Sequence, residues 1–134
     1  WNFSRIFGRR LTDLNKLSGR VPMFFSKDQL PAKEVLPGIL LRSVYLDNSM
    51  MTFFDIEPNS KIPLHKHPHE QISFVVKGTM KMTVGTETRL MREGDIAVIP
   101  PHTEHAVEVG DEPVVAIDAW HPRRDDYILD QPSD

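Results

Sequence analysis

From Ile39 onward, the sequence is a series of short segments in which β-branched and aromatic residues alternate with polar ones. Turn-forming residues separate these segments about every 8 to 12 positions, as at Lys77-Gly78 and Gly110-Asp111. Connections this short join antiparallel neighbours, so the pattern predicts antiparallel sheets. The predicted strands are ILLRSVYL, MMTFFDI, QISFVVK, MKMTV, DIAVI, HAVEV and VVAIDAW.

A helix-poor series of antiparallel strands can form a sandwich, a jelly roll or a barrel. Met80, Met82 and Val84 share one parity, while Lys81 and Thr83 share the other. A strand with this pattern has one face towards a core and the other towards water. Because 134 residues is the usual size of one domain, we expect an all-β fold with one core.

Residues 1–22 differ from the rest of the chain. The first 20 residues include five Lys or Arg and one Asp, and apolar residues from Ile6 to Leu17 recur at near-helical spacing. This composition is compatible with a short basic amphipathic helix or with a loosely ordered leader. We therefore predict an N-terminal extension at 1–22 and a β-barrel domain at 23–134.

Charge, cysteine content and hydropathy exclude several classes of protein. A net charge of −3 and the absence of a nucleic-acid-binding motif argue against nucleic acid as a partner. Without cysteine, any chemistry must come from histidine, carboxylate, amide or hydroxyl groups. No apolar run approaches the roughly 20 residues that span a bilayer, so we expect no integral membrane segment and favour a cytoplasmic location.

The densest group of metal-binding side chains lies in the segment HKHPHEQ. Its three histidines and Gln71 have the same parity, so they would point to one face of an extended chain. Imidazole nitrogens bind zinc, copper, iron and nickel, but a second strand must complete the site. His105, in PPHTEHAVEV, is the candidate from that second strand. The alternative is that such histidines are ordinary surface residues. The three histidines are His65, His67 and His69.

Two motifs in the chain resemble those of the cupin superfamily. The first cupin motif is His-x-His followed by Glu or Gln and then Gly, and its matches are His65, His67, Gln71 and Gly78. The second is Gly, Pro-x-Gly and His, and its matches are Gly94, Pro100 and His105. His102 replaces the second glycine of that motif. Histidine adopts left-handed backbone conformations more readily than most residues, so the turn can still form.

The cupin resemblance implies a double-stranded β-helix, or jelly-roll barrel, that holds one divalent metal ion. Zinc, nickel, manganese and iron all remain open as its identity. Three imidazoles and a neutral amide would leave the full 2+ charge on the ion, which favours polarisation of a bound oxygen. Gln71 is either a ligand or a hydrogen-bond partner of a ligating histidine. The implied ligands are His65, His67, Gln71 and His105.

From about Met23 to Tyr127, the chain resembles the KdgF group of small cupins, which linearise unsaturated uronates in pectin and alginate breakdown. The resemblance depends on MFF at 23–25, HPHEQ at 67–71 and above all DAWHPRRDDY at 118–127. It implies the following site: Asp118 as the catalytic carboxylate, Arg124 as a catalytic residue that binds the substrate carboxylate, and Trp120 as the aromatic group. Trp120 and His121 replace the usual Phe and Ser, which leaves the sugar open.

The residue types of this tail agree with those roles. Asp118 and Trp120 share a parity, and a guanidinium group matches a carboxylate in geometry. The alternatives are that Trp120 lies in the core or at a dimer interface, and that Arg124 pairs with a surface acid. His69 follows Pro68, so we expect it to support a metal ligand or to face the substrate. The candidate surface acids are Asp125, Asp126 and Glu93.

The expected function is that of a metal-dependent, isomerase-type enzyme that opens the ring of an unsaturated uronate. Cupins with histidine-rich sites also resemble dioxygenases and polyketide cyclases, and fold alone does not settle function. A non-catalytic small-molecule-binding barrel is the third alternative. Small cupins commonly resemble homodimers, so we also expect a homodimer.

Overall fold

The computed structural model describes residues 23–129. The predicted N-terminal extension at 1–22 lies outside the described residues, as do residues 130–134. Two single-turn 3-10 helices, Lys27–Gln29 and Asp125–Tyr127, lie near the two ends of the described part. Among residues 23–129, no helix is long and apolar enough to cross a membrane.

Strands paired in antiparallel fashion make up most of the fold, as predicted. The strands are β1 Lys33–Leu36, β2 Ile39–Tyr45, β3 Met50–Ile56, β4 Lys61–His65, β5 Glu70–Lys77, β6 Met80–Val84, β7 Glu87–Met91, β8 Ile96–Ile99, β9 His105–Val109 and β10 Val114–His121. They form a six-stranded sheet in the order β1-β2-β3-β10-β5-β8 and a four-stranded sheet in the order β4-β9-β6-β7. The predicted all-β jelly-roll fold is therefore confirmed.

All seven predicted strands are present, and the structure adds β1, β4 and β7. Each of these three lies at the edge of a sheet. Their side chains are mostly exposed, and β4 contains Pro63, which cannot donate a backbone hydrogen bond. Edge strands like these lack the alternation of buried and exposed residues on which the prediction depended.

One apolar core lies between the two sheets. Met80 and Met82 are buried and Lys81 is exposed, which confirms the alternation predicted for β6. The six-stranded sheet contributes most of the other large side chains, and β9 supplies two valines. The core includes Ile39, Leu41, Phe54, Ile56, Val75, Met80, Met82, Val107, Val109 and Val114.

The segment after β10 folds back over one end of the space between the sheets. The Tyr127 ring packs edge-on against Phe54 and Trp120, with centroids 6.3 and 5.6 Å apart. The Ser43 hydroxyl donates a hydrogen bond of 2.8 Å to the carbonyl oxygen of Tyr127, which fixes this segment to β2. The candidate site lies beneath it.

Candidate metal centre and substrate pocket

The candidate metal ligands come from both sheets. His65 ends β4 and His105 begins β9, and the two residues are directly opposite in the antiparallel register. His67 lies in the connection that leads to Gln71 on β5. Contrary to the single extended strand assumed from parity, the chain crosses from one sheet to the other between His65 and Glu70. The four side chains converge because of that crossing.

Each of these three histidines has its Nδ1 atom close to a backbone carbonyl oxygen. His65 Nδ1 is 2.8 Å from Pro63 O, His105 Nδ1 is 2.8 Å from Thr103 O, and His67 Nδ1 is 3.2 Å from His69 O. Because a carbonyl oxygen can only accept a hydrogen bond, these partners assign the proton to Nδ1. The Nε2 atoms therefore have free lone pairs, which is the usual arrangement of metal-binding histidines.

We call His65, His67, His105 and Gln71 the ligand cluster. The metal-binding nitrogens of its histidines lie within 4.8 Å of one another. His67 Nε2 is 3.1 Å from His105 Nε2 and 2.9 Å from Gln71 Oε1. With the protons on Nδ1, these atoms are all acceptors, and a cation between them would remove their mutual repulsion. Metal–nitrogen bonds of about 2.0–2.1 Å separate two ligands by about 3 Å, so the cluster fits a divalent metal ion.

The predicted turn at His102 is present. Its φ angle is 61°, in the left-handed region, so histidine does take the conformation for which the motif has glycine. The His102 backbone N–H donates a hydrogen bond of 2.7 Å to the carbonyl oxygen of His67. This bond joins the loops of the two motifs and thereby positions His67 relative to His105.

Burial keeps two members of the ligand cluster neutral. It lowers the pKa of His105 to about 4, although the Thr103 carbonyl opposes the change. It also lowers the pKa of His67, although Gln71 Oε1, which can accept a hydrogen bond from the protonated ring, opposes the change. The positive charge of Arg124 lowers both pKa values further. At neutral pH these histidines need not lose a proton before they bind a metal ion.

Asp118 lies on β10 beside the ligand cluster. Its Oδ2 accepts a hydrogen bond of 2.7 Å from Gln71 Nε2, so Gln71 joins the cluster to this carboxyl. Burial raises the pKa of Asp118 to about 6, while Ser73, Gln71 and Arg124 oppose the rise. Among residues 23–129, its Oδ1 has no hydrogen-bond partner of good geometry. A carboxyl of this kind can hold and release a proton near neutral pH.

Arg124 lies between two aromatic rings. Its guanidinium carbon is 3.8 Å from the Tyr127 ring centroid and 4.9 Å from that of Trp120. Asp126 accepts hydrogen bonds from Nε at 3.1 Å and from Nη2 at 2.6 Å, which matches the surface-pair alternative. The Nη1 atom is buried, and nothing within residues 23–129 accepts its hydrogens. Arg124 therefore keeps one nitrogen for an anion while it pairs with Asp126.

Trp120 is both a core residue and a wall of the pocket. Only 4% of its surface is exposed, and its Nε1–H donates a hydrogen bond of 2.9 Å to Thr52 Oγ1. Its ring centroid is 5.2 Å from that of His67. The indole is thus held inside the chain's own core, which rules out the dimer-interface alternative for this residue.

His69 lies apart from the ligand cluster. Its ring packs edge-on against His67 and Trp120, with centroids 5.3 and 6.3 Å apart. Burial lowers its pKa, and Arg124 acts in the same direction. Its Nδ1 has no hydrogen-bond partner in the described part of the chain. The expected role of His69, to support a metal ligand or to face the substrate, stays a prediction.

A cavity opens between the sheets next to the ligand cluster. Tyr127 and Ser73 also line this cavity, and neither was predicted to do so. Ser73 shares the parity of Gln71 on β5 and could have been found in that way. The position of the Tyr127 side chain depends on the path of an irregular segment, and such a segment has no alternation of faces from which the position could be predicted. The side chains in the wall include His65, Gln71, Ser73, His105, Asp118, Trp120, Arg124 and Tyr127.

The chain is similar to several known proteins. The pectin degradation protein KdgF of Dickeya dadantii (strain 3937) is 28% identical over 107 residues, which cover 78% of this chain and 97% of that protein. The solved structure of KdgF from Halomonas sp. is similar with a TM-score of 0.74 and 30% identity, over 78% of this chain and 98% of that one.

A partial match is 3-hydroxyanthranilate 3,4-dioxygenase of Cupriavidus pinatubonensis (strain JMP 134 / LMG 1197), 28% identical over 79 residues. These residues cover 56% of this chain and 42% of that protein. The Cupin domain family model matches residues 52–120, which include the ligand cluster and Asp118. The chain therefore belongs to the cupin family and has KdgF proteins among its relatives.

Proposed function

We propose that the protein is a metal-dependent enzyme that opens the ring of unsaturated uronate monosaccharides from pectin or alginate breakdown. The observation that carries this proposal is one cavity in which a cluster of acceptors meets a buried carboxyl and a guanidinium nitrogen that has no partner within residues 23–129. The sequence resemblance to the KdgF group supports the substrate class, as does the similarity to the two KdgF proteins.

The ligand cluster would hold one divalent ion, with zinc, nickel, manganese and iron as candidates. When bound, such an ion polarises a hydroxyl or carbonyl oxygen of the substrate. The cluster consists of neutral groups, so it does not reduce the charge of the ion. In Gln71, the Oε1 atom lies next to His67 Nε2, while the Nε2 atom donates a hydrogen bond to Asp118.

Asp118 would carry the proton. Ring opening takes a proton from the anomeric hydroxyl and delivers one to a carbon of the former double bond, so a single group can serve both steps. Asp118 lines the cavity, and its Oδ1 has no hydrogen-bond partner of good geometry among the described residues 23–129. With a pKa of about 6, the carboxyl can both accept and donate a proton near neutral pH.

Arg124 would orient the sugar acid. Its Nη1 can donate to the substrate carboxylate, and Asp126 together with the two aromatic rings holds the guanidinium plane in place. Trp120 and Tyr127 line the cavity and would pack against the sugar. The His69 ring packs edge-on against Trp120 and would hold that ring in place beside the substrate.

An ultraviolet assay tests the proposal. The metal-loaded protein is incubated with freshly prepared unsaturated galacturonate or mannuronate, and the conjugated absorbance is followed. We expect faster loss of absorbance than with chelator-treated protein, and loss of this acceleration in Asp118→Asn but not in Asp111→Asn, an exposed control. If neither substrate is consumed faster than by the chelator-treated protein, the proposed activity is wrong.

A dioxygenase is the second candidate, because part of the chain matches 3-hydroxyanthranilate 3,4-dioxygenase. Metal identity and oxygen uptake separate the two functions. Bound iron together with substrate-dependent oxygen consumption would favour the dioxygenase. Tight binding of zinc or nickel without oxygen consumption would favour ring opening.

A further inference from the structure

The segment that follows β10 carries two consecutive arginines whose side chains have different surroundings. We call residues 123–127 the closing segment. Arg124 lines the cavity, and its side chain is 13% exposed. Arg123 is absent from the cavity wall, and its guanidinium carbon lies 5.4 Å from the ring centroid of Tyr45, the last residue of β2. The contacts of Arg123 therefore lead away from the cavity and towards β2.

Arg123 joins the closing segment to the end of β2. Its Nη1 donates a hydrogen bond of 3.4 Å to the carbonyl oxygen of Leu46, and its guanidinium lies over the Tyr45 ring in a cation–π contact. Its Nε donates a hydrogen bond of 2.8 Å to Asp125 Oδ1. Because this carboxylate compensates the charge of Arg123, the attraction of Arg123 for an anion in the cavity is weak. Contacts, rather than long-range charge, account for this residue.

Two partners of the Arg124 guanidinium belong to the closing segment itself. Asp126 accepts two of its hydrogen bonds, and the Tyr127 ring centroid lies 3.8 Å from its guanidinium carbon. Both partners move together with Arg124, so they fix the guanidinium relative to the segment but not relative to the ligand cluster. The distance from Arg124 to the ligand cluster therefore depends on what holds the segment against the sheet.

Two polar anchors hold the closing segment on β2, one at each end of the segment. Arg123 forms the first, at Tyr45 and Leu46. The second is the hydrogen bond of 2.8 Å from the Ser43 hydroxyl to the carbonyl oxygen of Tyr127. Ring packing also contributes, but apolar contact is non-directional, whereas a hydrogen bond defines a position. The two anchors therefore determine where the segment lies along β2.

We propose that Arg123 is a positioning residue, which through its contacts at the end of β2 holds the closing segment where Arg124 Nη1 can meet the substrate carboxylate. The inference rests on the proposed function. A guanidinium pairs with a carboxylate only in a narrow range of geometry, so a small displacement of the segment weakens that pair. Contacts such as those of Arg123, at partly exposed sites, are worth about a 3- to 10-fold change in an equilibrium. Loss of Arg123 should weaken substrate binding by about that factor.

Steady-state kinetics of the full-length, metal-loaded protein test the proposal, with whichever of unsaturated galacturonate and mannuronate the wild type consumes. Arg123→Gln should raise KM about 3- to 10-fold and leave kcat within about 2-fold. Arg123→Lys, which keeps a cation near Tyr45, should recover part of this affinity. Ser43→Ala removes the other anchor and should also raise KM. Arg89→Gln is the matched control and should leave both constants unchanged, because Arg89 is an exposed arginine on β7 that pairs with Glu87.

A second substitution at Arg124 separates positioning from direct attraction of the anion. If Arg123 acts through Arg124, Arg123→Gln should change KM by less than about 2-fold when Arg124→Met is already present. An equal rise in KM with and without Arg124→Met would mean that Arg123 attracts the substrate directly. That result would overturn the proposal.

Nuclear magnetic resonance of the zinc-loaded protein gives a readout that needs no turnover. The Nε–H signal of Arg124, identified by its loss in Arg124→Met, should have a lower order parameter in Arg123→Gln and an unchanged one in Arg89→Gln. Circular dichroism shows that each variant is folded. An unchanged Arg124 signal in Arg123→Gln would overturn the proposal. A wild-type protein that consumes neither sugar would contradict the proposed function instead, and the Arg124 signal would still decide whether Arg123 positions this side chain.

Discussion

Replacing Asp118 with Asn in the metal-free protein should increase stability at neutral pH and leave it little changed in acid. Asp118 is 6% exposed, and its carboxyl loses most of its hydration on folding. Asparagine has nearly the same shape, and its carbonyl oxygen can still accept the hydrogen bond from Gln71 Nε2. The substitution therefore removes the buried charge and retains the packing.

The pKa shift sets both the size and the pH range of this effect. Burial raises the pKa of Asp118 from 3.8 to about 6, and at about 1.36 kcal/mol per unit this is roughly 3 kcal/mol. Below pH 3.8 the carboxyl is protonated in both the folded and the unfolded chain, so it has no effect. Between 3.8 and about 6 the folded chain binds more protons, and stability falls as the pH rises. Above about pH 6 the carboxyl is ionised in both the folded and the unfolded chain, so the full loss of stability is present.

Urea unfolding in the presence of a chelator, at several values between about pH 4.5 and 8, measures the effect. The stability of Asp118→Asn minus that of wild type should rise with pH and level off at up to about 3 kcal/mol. Histidines that titrate in the same range are common to both proteins, so they cancel in the difference. Asp111→Asn, at an exposed position, should show a difference within about 0.5 kcal/mol at every pH. A pH-independent difference for Asp118→Asn would refute the reasoning.

Three other predictions concern the metal, the substrate and the fold. His105→Ala should reduce zinc retained after dialysis to less than about a tenth of the wild-type amount, measured by elemental analysis, because it removes a buried side chain that is proposed to bind the ion. Arg124→Met should raise KM about 10- to 100-fold with a smaller change in kcat, since a charge-assisted hydrogen bond is worth about 1.5–3 kcal/mol; an unchanged KM would contradict the role of Nη1. Gly78→Ala should lower the free energy of unfolding by about 1–3 kcal/mol more than Gly94→Ala. Both glycines have a φ of +87°, but only at Gly78 would a Cβ atom collide with the Pro113 carbonyl oxygen.

Much of the ligand cluster could be predicted from sequence because its members lie at the spacings of the two motifs, and three of the four are on strands. His65 and His105 are opposite each other in register, and the two motifs carry them to adjacent strands of one sheet. The path between His65 and Gln71 could not be predicted, since parity assumes one extended strand. A crossing between sheets depends on contacts far away in the sequence.

The pocket wall was less predictable for the same reason. Asp118 and Trp120 were identified by the resemblance to the KdgF group, and the regular alternation of β10 agrees with their lying on one face. Tyr127 and the pairing of Arg124 with Asp126 belong to an irregular segment, whose conformation is set by contacts with β2 and β3. The sequence shows the residue types of this segment, but it has no regular alternation from which the side-chain positions could be predicted.

The hydrogen bond from Gln71 to Asp118 ties together two positions that are 47 residues apart in the chain. A glutamate in place of Gln71 would set two carboxylates against each other at this distance, and one of them would have to remain protonated or be replaced. In cupins that carry the more usual glutamate, the position of Asp118 should therefore hold a neutral or basic residue. Covariation of positions 71 and 118 would therefore distinguish the cupin sequences that have this glutamine–aspartate hydrogen bond from the rest of the family.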